Sequence, residues 1–284
     1  MTSPDGRRSP APVGAPSREK LLVLLGAVAL AGLLLTVGLG LALYYLTHPA
    51  SAHPVSAAGT APSQVPPGRA ATGPRPPGDL VLARRDDLAA RPMRAGSAAD
   101  AQPSVLSTRD PGFIVLPAST TAGPVGVPAG FTHTPAGALA QLAAIDTAAL
   151  DSASLAGVRA VIEGWAAPGG PTAATWSGVA AMADFLTAAG LPEGKTPDLA
   201  FSATPMMGLV KAADGADWVV ACVDFEVDAT LSRTARVALA DCQRMAWSGN
   251  RWVIGPGAEP ATPPSIWPGT DAAIDAGYQE LRGG

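Results

Sequence analysis

Charged, aromatic, histidine and cysteine residues are all scarce in this sequence of 284 residues. Only 15% of the residues are charged and 5% are aromatic, and there are three histidines and two cysteines. The formal net charge of −4 argues against a dedicated nucleic-acid-binding protein, which would show a basic face. The sequence also lacks the phosphate-binding loop, the dinucleotide-binding glycine motif, the zincin motif and the nucleophile elbow. We therefore predict no catalytic residues, no cofactor and no metal site, in a protein that is not an enzyme.

Glycine and proline, by contrast, are abundant, with 32 and 29 residues in a chain that is 48% hydrophobic. This is too much glycine and proline for one uniformly packed globule, and the chain is too apolar to be wholly disordered. The composition indicates a division into a membrane segment, an unstructured segment and one folded domain. We predict a cytoplasmic tail at 1–20, a transmembrane helix at 21–46, a Pro/Ala/Gly-rich and largely disordered linker at 47–110, and an extracytoplasmic domain at 111–284.

The membrane segment is the uncharged run 21–46. As a helix its 26 residues would span about 39 Å, which exceeds the roughly 30 Å hydrocarbon core of a bilayer. Four basic residues precede it, whereas 47–66 contains no Lys or Arg. The positive-inside rule therefore predicts a single-pass protein of the cell membrane with a cytoplasmic N-terminus and an extracytoplasmic C-terminal domain.

Two questions about this segment stay open in the sequence. Ala50-Ser51-Ala52 has the small-x-small pattern of a signal-peptide cleavage site, although the apolar run is much longer than the usual hydrophobic region of such a peptide. Gly32, Thr36 and Gly40 recur every fourth residue, which would place small side chains on one helix face. Such a face favours self-association in lipid, and scattered small residues in an Ala/Gly-rich helix are the alternative.

Along the domain, the spacing of the apolar residues changes from the period of a helix to the alternation of a strand. Thr134 before Pro135 is typical of a helix start, a second helix is predicted after Ser154, and a third from about Thr172 to Gly190. Strands are predicted at 199–212, 217–228, 234–247 and 251–254, separated by turn signals. We therefore predict an α+β domain with about three helices packed on one face of a curved antiparallel sheet of about four strands.

The two central strands of this meander predict a disulfide. Apolar residues alternate with polar residues in both, and a hairpin centred on Ser232 aligns Cys222 with Cys242 and Asp228 with Arg236. Both apolar sets then face the helices and both cysteines share the other face. Directly opposed residues of antiparallel strands are close enough for a disulfide, and an extracytoplasmic compartment permits its oxidation.

Acidic residues on these strands fall into two groups. Asp224, Glu226 and Asp228 share one face, where we predict a solvated charge ladder paired with nearby arginines rather than a calcium site. Asp241 instead lies in the apolar series of its strand, and with Gln243 it is a candidate polar residue of a cavity. A carboxylate in a cavity can have a raised pKa and act as a base, which keeps a cavity enzyme open as an alternative.

Three segments carry a resemblance to known proteins: GFTHTPAGA at 130–138, CQRMAWSGNRWVIGPG at 242–257, and WPGT at 267–270. Together they resemble a group of actinobacterial single-pass membrane proteins of conjugative elements. The order of anchor, spacer and domain also resembles the bitopic inner-membrane assembly subunit of type IV secretion systems. This resemblance implies the cone-shaped fold of the nuclear transport factor 2 superfamily and a scaffold without catalytic residues.

The sequence thus leaves two functional hypotheses. The first is a non-enzymatic membrane scaffold of a conjugative DNA-transfer apparatus, which contacts other channel subunits, crosses the bilayer through 21–46, could form homo-oligomers and binds no nucleic acid directly. The second is a domain at the cell envelope that binds a small molecule or lipid, or an enzyme built in its cavity. An open apolar pocket with polar groups inside would favour the second hypothesis.

Overall fold

The computed structural model describes residues 77–191 and 194–284, which all belong to one compact unit. The predicted transmembrane helix at 21–46, its small-residue face and the linker up to residue 76 lie outside the described residues. Within 77–191 and 194–284, the length and hydropathy of every helix fall short of what a membrane span requires.

Helices and strands alternate in groups along the described chain. The helices are α1 (Pro77–Ala90), α2 (Pro135–Asp151), α3 (Leu155–Trp165), α4 (Ser177–Ala189) and α5 (Asp271–Asp275). The strands are β1 (Phe113–Leu116), β2 (Thr121–Ala122), β3 (Pro128–Ala129), β4 (Ala200–Ala213), β5 (Trp218–Thr230), β6 (Thr234–Ser248), β7 (Arg251–Ile254) and β8 (Gln279–Gly283).

The main sheet corrects the predicted fold class. It contains six strands in the order β1-β8-β4-β5-β6-β7, and it is mixed because β1 and β8 run parallel. The prediction of a cone with about four antiparallel strands is therefore wrong, although the α+β character holds. The parallel pair joins Phe113 to Glu280, and no turn signal in the sequence marks a pairing between segments so far apart.

The starts of two helices follow the predicted capping residues. Thr134 Oγ1 accepts a hydrogen bond from the backbone N–H of Gly137, and Ser154 Oγ accepts one from Gly157. Each hydroxyl satisfies a donor that the first turn of a helix leaves without an internal partner. The third predicted helix, α4, begins at Ser177 rather than near Thr172, and its cap comes from a distant residue described below.

The register of the β5–β6 hairpin is the predicted one. Cys222 pairs with Cys242 and Asp228 with Arg236, and the ladder continues over the full length of β5. The two cysteines lie at disulfide distance, with their Cα atoms 4.0 Å apart. Apolar side chains of one face pack against α2, α3 and α4, while both cysteines lie on the other face.

That second face is covered, and this corrects two further expectations. The sequence predicts a largely disordered linker at 77–110, but α1 lies within this range and packs on the sheet, with Ala89 fully buried. Asp224 is also fully buried, so it is not part of a solvated charge ladder. Glu226 and Asp228 do pair with Arg236, as expected.

Charged side chains hold α1 in place. Arg85 Nε donates to Asp214 Oδ2 over 3.0 Å, and Arg244 Nη1 donates to Asp86 Oδ1 over 2.6 Å. Lys211 Nζ donates to the backbone oxygen of Ala89, one of the carbonyls that the end of a helix leaves free. The segment around the charged residues 84–87 has no apolar periodicity, and the residues that pair with these charges lie far away in sequence. For this reason the sequence by itself predicts a solvated linker there.

We expect Arg244→Met to loosen α1. Arg244 is buried and also donates to the carbonyl of Ala258, so its removal eliminates its hydrogen bonds to Asp86 and Ala258 and costs about 1–2 kcal/mol of unfolding free energy. Urea unfolding measures this cost, and faster tryptic cleavage after Arg85 reports release of the helix. The exposed Arg159→Met is the control, with a change below about 0.5 kcal/mol. Unchanged cleavage in Arg244→Met would contradict this role.

Candidate functional site

The candidate site is a cavity beside the part of the β6 edge that β7 does not cover. β7 pairs with β6 only from Met245 to Ser248, so the preceding part of β6 has no strand neighbour on that side among the described residues. α2, α3, the start of α4 and the chain at 259–265 surround this edge and enclose about 240 Å³. Its apolar wall includes Leu150, Val158, Phe225 and Leu239.

Three acidic side chains line this cavity, which we call the carboxyl cavity: Asp146 from α2, Asp241 from β6 and Glu259 from the chain after β7. Asp146 lies in the middle of a helix that is buried on nearly all sides, and only 4% of its surface is exposed. Neither of its carboxyl oxygens has a hydrogen-bond partner among the described residues. Such a buried polar group is costly for folding, which indicates a role other than packing.

A hydrogen-bonded chain connects the other two carboxylates. Gln243 Nε2 donates to both oxygens of Asp241, over 3.2 and 3.0 Å, and to Glu259 Oε1 over 3.3 Å. Glu259 Oε1 in turn accepts from the backbone N–H of Ser177 over 3.0 Å and from its hydroxyl over 3.1 Å. Glu259 is therefore the missing cap of α4, placed there by the tertiary fold, and it fixes the helix start at the cavity.

Burial sets the protonation of these groups. It raises the pKa of Asp241 to about 6, with a contribution from the nearby charge of Glu259, while hydrogen bonds from Gln243 and the backbone of Cys242 act in the opposite direction. Burial also raises the pKa of Asp146 well above its usual range, and the neighbouring Asp241 adds to this shift. Burial thus favours the protonated form of both carboxyls.

An indole also lines the cavity. Trp176 lines the wall and is 4% exposed, and its Nε1 has no hydrogen-bond partner within the described part of the chain. The lining contains no Lys, Arg or His. Among residues 77–191 and 194–284 there is also no cluster of three or more side chains that could hold a metal ion.

Other titratable residues lie outside the carboxyl cavity. His133 stacks on Trp247, with ring centroids 4.1 Å apart, and its Nε2 lies 2.7 Å from Asp217. Asp224 lies on the opposite face of the sheet, where burial raises its pKa to about 8. Its charge and burial both raise the pKa of Tyr278, whose hydroxyl donates to the carbonyl of Pro264.

Of the two predicted cavity residues, Asp241 lines the cavity, whereas Gln243 is not part of the lining and hydrogen-bonds to Asp241 and Glu259. The structure adds three lining residues that sequence reasoning missed. Asp146 had a readable signal, because it interrupts the apolar spacing of α2. Trp176 and Glu259 had none, since both lie in irregular segments that only the fold brings to β6. Comparison with protein-family models, curated proteins and solved structures finds no match to this chain.

We expect Asp241→Asn to stabilise the domain at neutral pH. A carboxyl with a raised folded-state pKa makes its full contribution to the stability of the folded domain below its unfolded pKa of 3.8. This contribution is lost as the pH rises through the folded-state pKa of about 6. The unfolding free energy of the variant should exceed that of the wild type by about 2–3 kcal/mol at pH 7 and by little at pH 4.

Urea unfolding between pH 4 and pH 7.5 measures this difference. The exposed Asp184→Asn, on α4, is the matched control and should track the wild type. A difference in unfolding free energy between Asp241→Asn and the wild type that stays constant across this pH range would contradict the raised pKa of Asp241.

Proposed function

We propose that this chain is a non-catalytic ligand-binding protein of the cell envelope, attached to the membrane through 21–46, and that its domain binds a small molecule in the carboxyl cavity. The observation that carries the proposal is Asp146, a cavity-lining residue whose two carboxyl oxygens are buried without a protein partner among the described residues. A ligand with a polar group would satisfy this carboxyl, and its apolar part would contact the wall.

The polar groups of the cavity support binding rather than catalysis. Gln243 and Ser177 both use their hydrogen bonds to hold the carboxylates of Asp241 and Glu259 in fixed positions. A rigid first layer of polar groups lowers the ordering cost of binding a ligand. The hydroxyl of Ser177 donates to a carboxylate that already caps a helix, which is a positioning arrangement and not an activated nucleophile.

We expect a bulky residue at the cavity mouth to abolish binding. Ala181 is exposed and lines the cavity, so Ala181→Trp would block the entrance without overpacking the core. The full-length chain in lipid nanodiscs is screened against single-ring fragments by native mass spectrometry. The wild type should bind one fragment molecule per chain, and Ala181→Trp should lose this adduct.

The matched control for this variant is Ala188→Trp, an exposed position further along the same helix that does not line the cavity. It should retain the fragment adduct. The proposal fails if no fragment binds the wild type, or if Ala181→Trp and Ala188→Trp bind fragments equally.

A second candidate is the scaffold of a conjugative transfer apparatus that the order of segments and the three motifs imply. The observation in its favour is β1, an edge strand of the described sheet on which Phe113 and Val115 are 52% and 49% exposed. Exposed apolar residues on an edge strand are typical of a surface that pairs with another chain. Its proposed partner is a membrane subunit of the same apparatus.

We expect a photo-cross-linking residue at Phe113 or Val115 to capture such a subunit in cells that carry the element. The same cross-linker at the exposed Ala180 of α4 is the control and should capture no common species. Mass spectrometry identifies the cross-linked species. Recovery of a transfer ATPase or a multi-spanning channel subunit would support the scaffold, and identical products from all three positions would contradict it.

A further inference from the structure

We infer that the ligand of the carboxyl cavity is a small organic cation, an amine with an apolar body, whose ammonium group is bound by Asp241 and Glu259. This inference rests on the proposed function and specifies the chemical class of its ligand. It follows from the charge of the lining, the hydrogen-bond geometry and the size of the cavity, which are considered in turn.

The charge of the lining favours a cation. Asp146, Asp241 and Glu259 contribute acidic groups, and no basic side chain lines the cavity to balance them. The start of α4 would favour an anion, but the carboxylate of Glu259 already accepts from the backbone N–H of Ser177 there. An anionic ligand would therefore face two carboxylates without a positive partner, at a cost that a partly buried site makes large.

The geometry shows that one nitrogen donor can serve both carboxylates. Gln243 Nε2 lies 3.0 Å from Asp241 Oδ2 and 3.3 Å from Glu259 Oε1. An ammonium group has three donors, so it can bond to both carboxylates from the cavity side. Hydrogen bonds between charged partners are shorter and stronger than neutral ones, which makes an ammonium the best match for these acceptors.

Two polar side chains with no bonding partner in the described ranges point to a ligand in addition to Asp241 and Glu259. Both Asp146 oxygens and Trp176 Nε1 are buried without a protein partner there, and both residues line the cavity. The indole ring adds an aromatic surface, which attracts organic cations. Asp146 and Trp176 thus line the same cavity as Asp241 and Glu259.

The size of the cavity limits the ligand. A volume of about 240 Å³ equals that of about eight water molecules at roughly 30 Å³ each. This is enough for one ring with a short side chain. A compact inorganic ion would leave the apolar wall without contacts, and the carboxyls do not form a metal-binding cluster among the described residues. An amine with an apolar body can contact both the carboxylates and the apolar wall.

Three probes of nearly equal size test the inference: benzylamine, benzyl alcohol and benzoate. Isothermal titration calorimetry is carried out on the full-length chain in lipid nanodiscs at pH 7.5, with empty nanodiscs as the blank for partition into lipid. Benzylamine should bind at least about tenfold more tightly than benzyl alcohol, because a charge-assisted bond replaces a neutral one. Benzoate should show no binding.

Asp241→Asn should reduce the preference for benzylamine over benzyl alcohol to about onefold. Glu259→Gln is a second variant that should reduce the preference several-fold, and the exposed Asp184→Asn is the control that should leave it unchanged. Equal or tighter binding of benzyl alcohol or benzoate by the wild type would overturn the inference but leave the proposed function standing.

Failure of all three probes to bind would also overturn the inference. The fragment screen with Ala181→Trp then shows whether the proposed function fails with it, because that screen includes neutral and acidic fragments. The two failures are therefore distinguishable.

The pH dependence gives a second readout. Benzylamine stays protonated between pH 5 and pH 7, whereas Asp241 ionises with a pKa of about 6. The groups that face Asp241 are Asp146 from α2 and Glu259 from the chain after β7, and α3 and α4 add no titratable side chain to the lining. The affinity for benzylamine should rise up to about ninefold over this range, since the ionised fraction rises from about 0.1 to about 0.9. A flat profile in the wild type would contradict the assigned role of Asp241.

Discussion

The structure depends on the ladder between β5 and β6, in which β5 is buried on both faces. Every residue of β5 from Trp218 to Phe225 is buried, which requires a layer of protein on each side of the strand. α2, α3 and α4 supply one layer, and α1 with the C-terminal chain supplies the other. A slip of one residue would exchange the two faces of β6 and remove Asp241 from the cavity, so the register also determines the site.

The carboxyl cavity results from a difference in strand length. β6 is long enough to pair with all of β5, but β7 covers only its last part, and the remaining edge is enclosed by helices and an irregular chain. A protein selected only for stability would fill such a space with apolar side chains, because burying a carboxyl without a partner opposes folding. Asp146 and Asp241 both oppose folding when ionised, and departures of this kind are typical of functional sites.

Ion pairs add to a few apolar contacts in holding α1 on the sheet. α1 has no strong apolar stripe, and it packs through Arg85, Asp86 and the carbonyl of Ala89, whose partners lie on β6 and near the β4–β5 turn. An isolated helix of this length is marginal in water, so its order comes from these tertiary contacts. Because these contacts are made with residues distant in sequence, a segment rich in proline and mixed charges is predicted to be a linker when only its own sequence is considered.

The sequence alone determined the features that depend on neighbouring residues. Thr134 and Ser154 cap helices within three residues of themselves, and the alternation of β5 and β6 across a short turn set the pairing of Cys222 with Cys242 and placed Asp241 on the helix side. Tertiary structure decided the parallel pairing of β1 with β8, the docking of α1 and the capping of α4 by Glu259. Each of these joins segments more than 80 residues apart in the chain, and such pairings are decided by the packing of the whole domain rather than by any local pattern of residues.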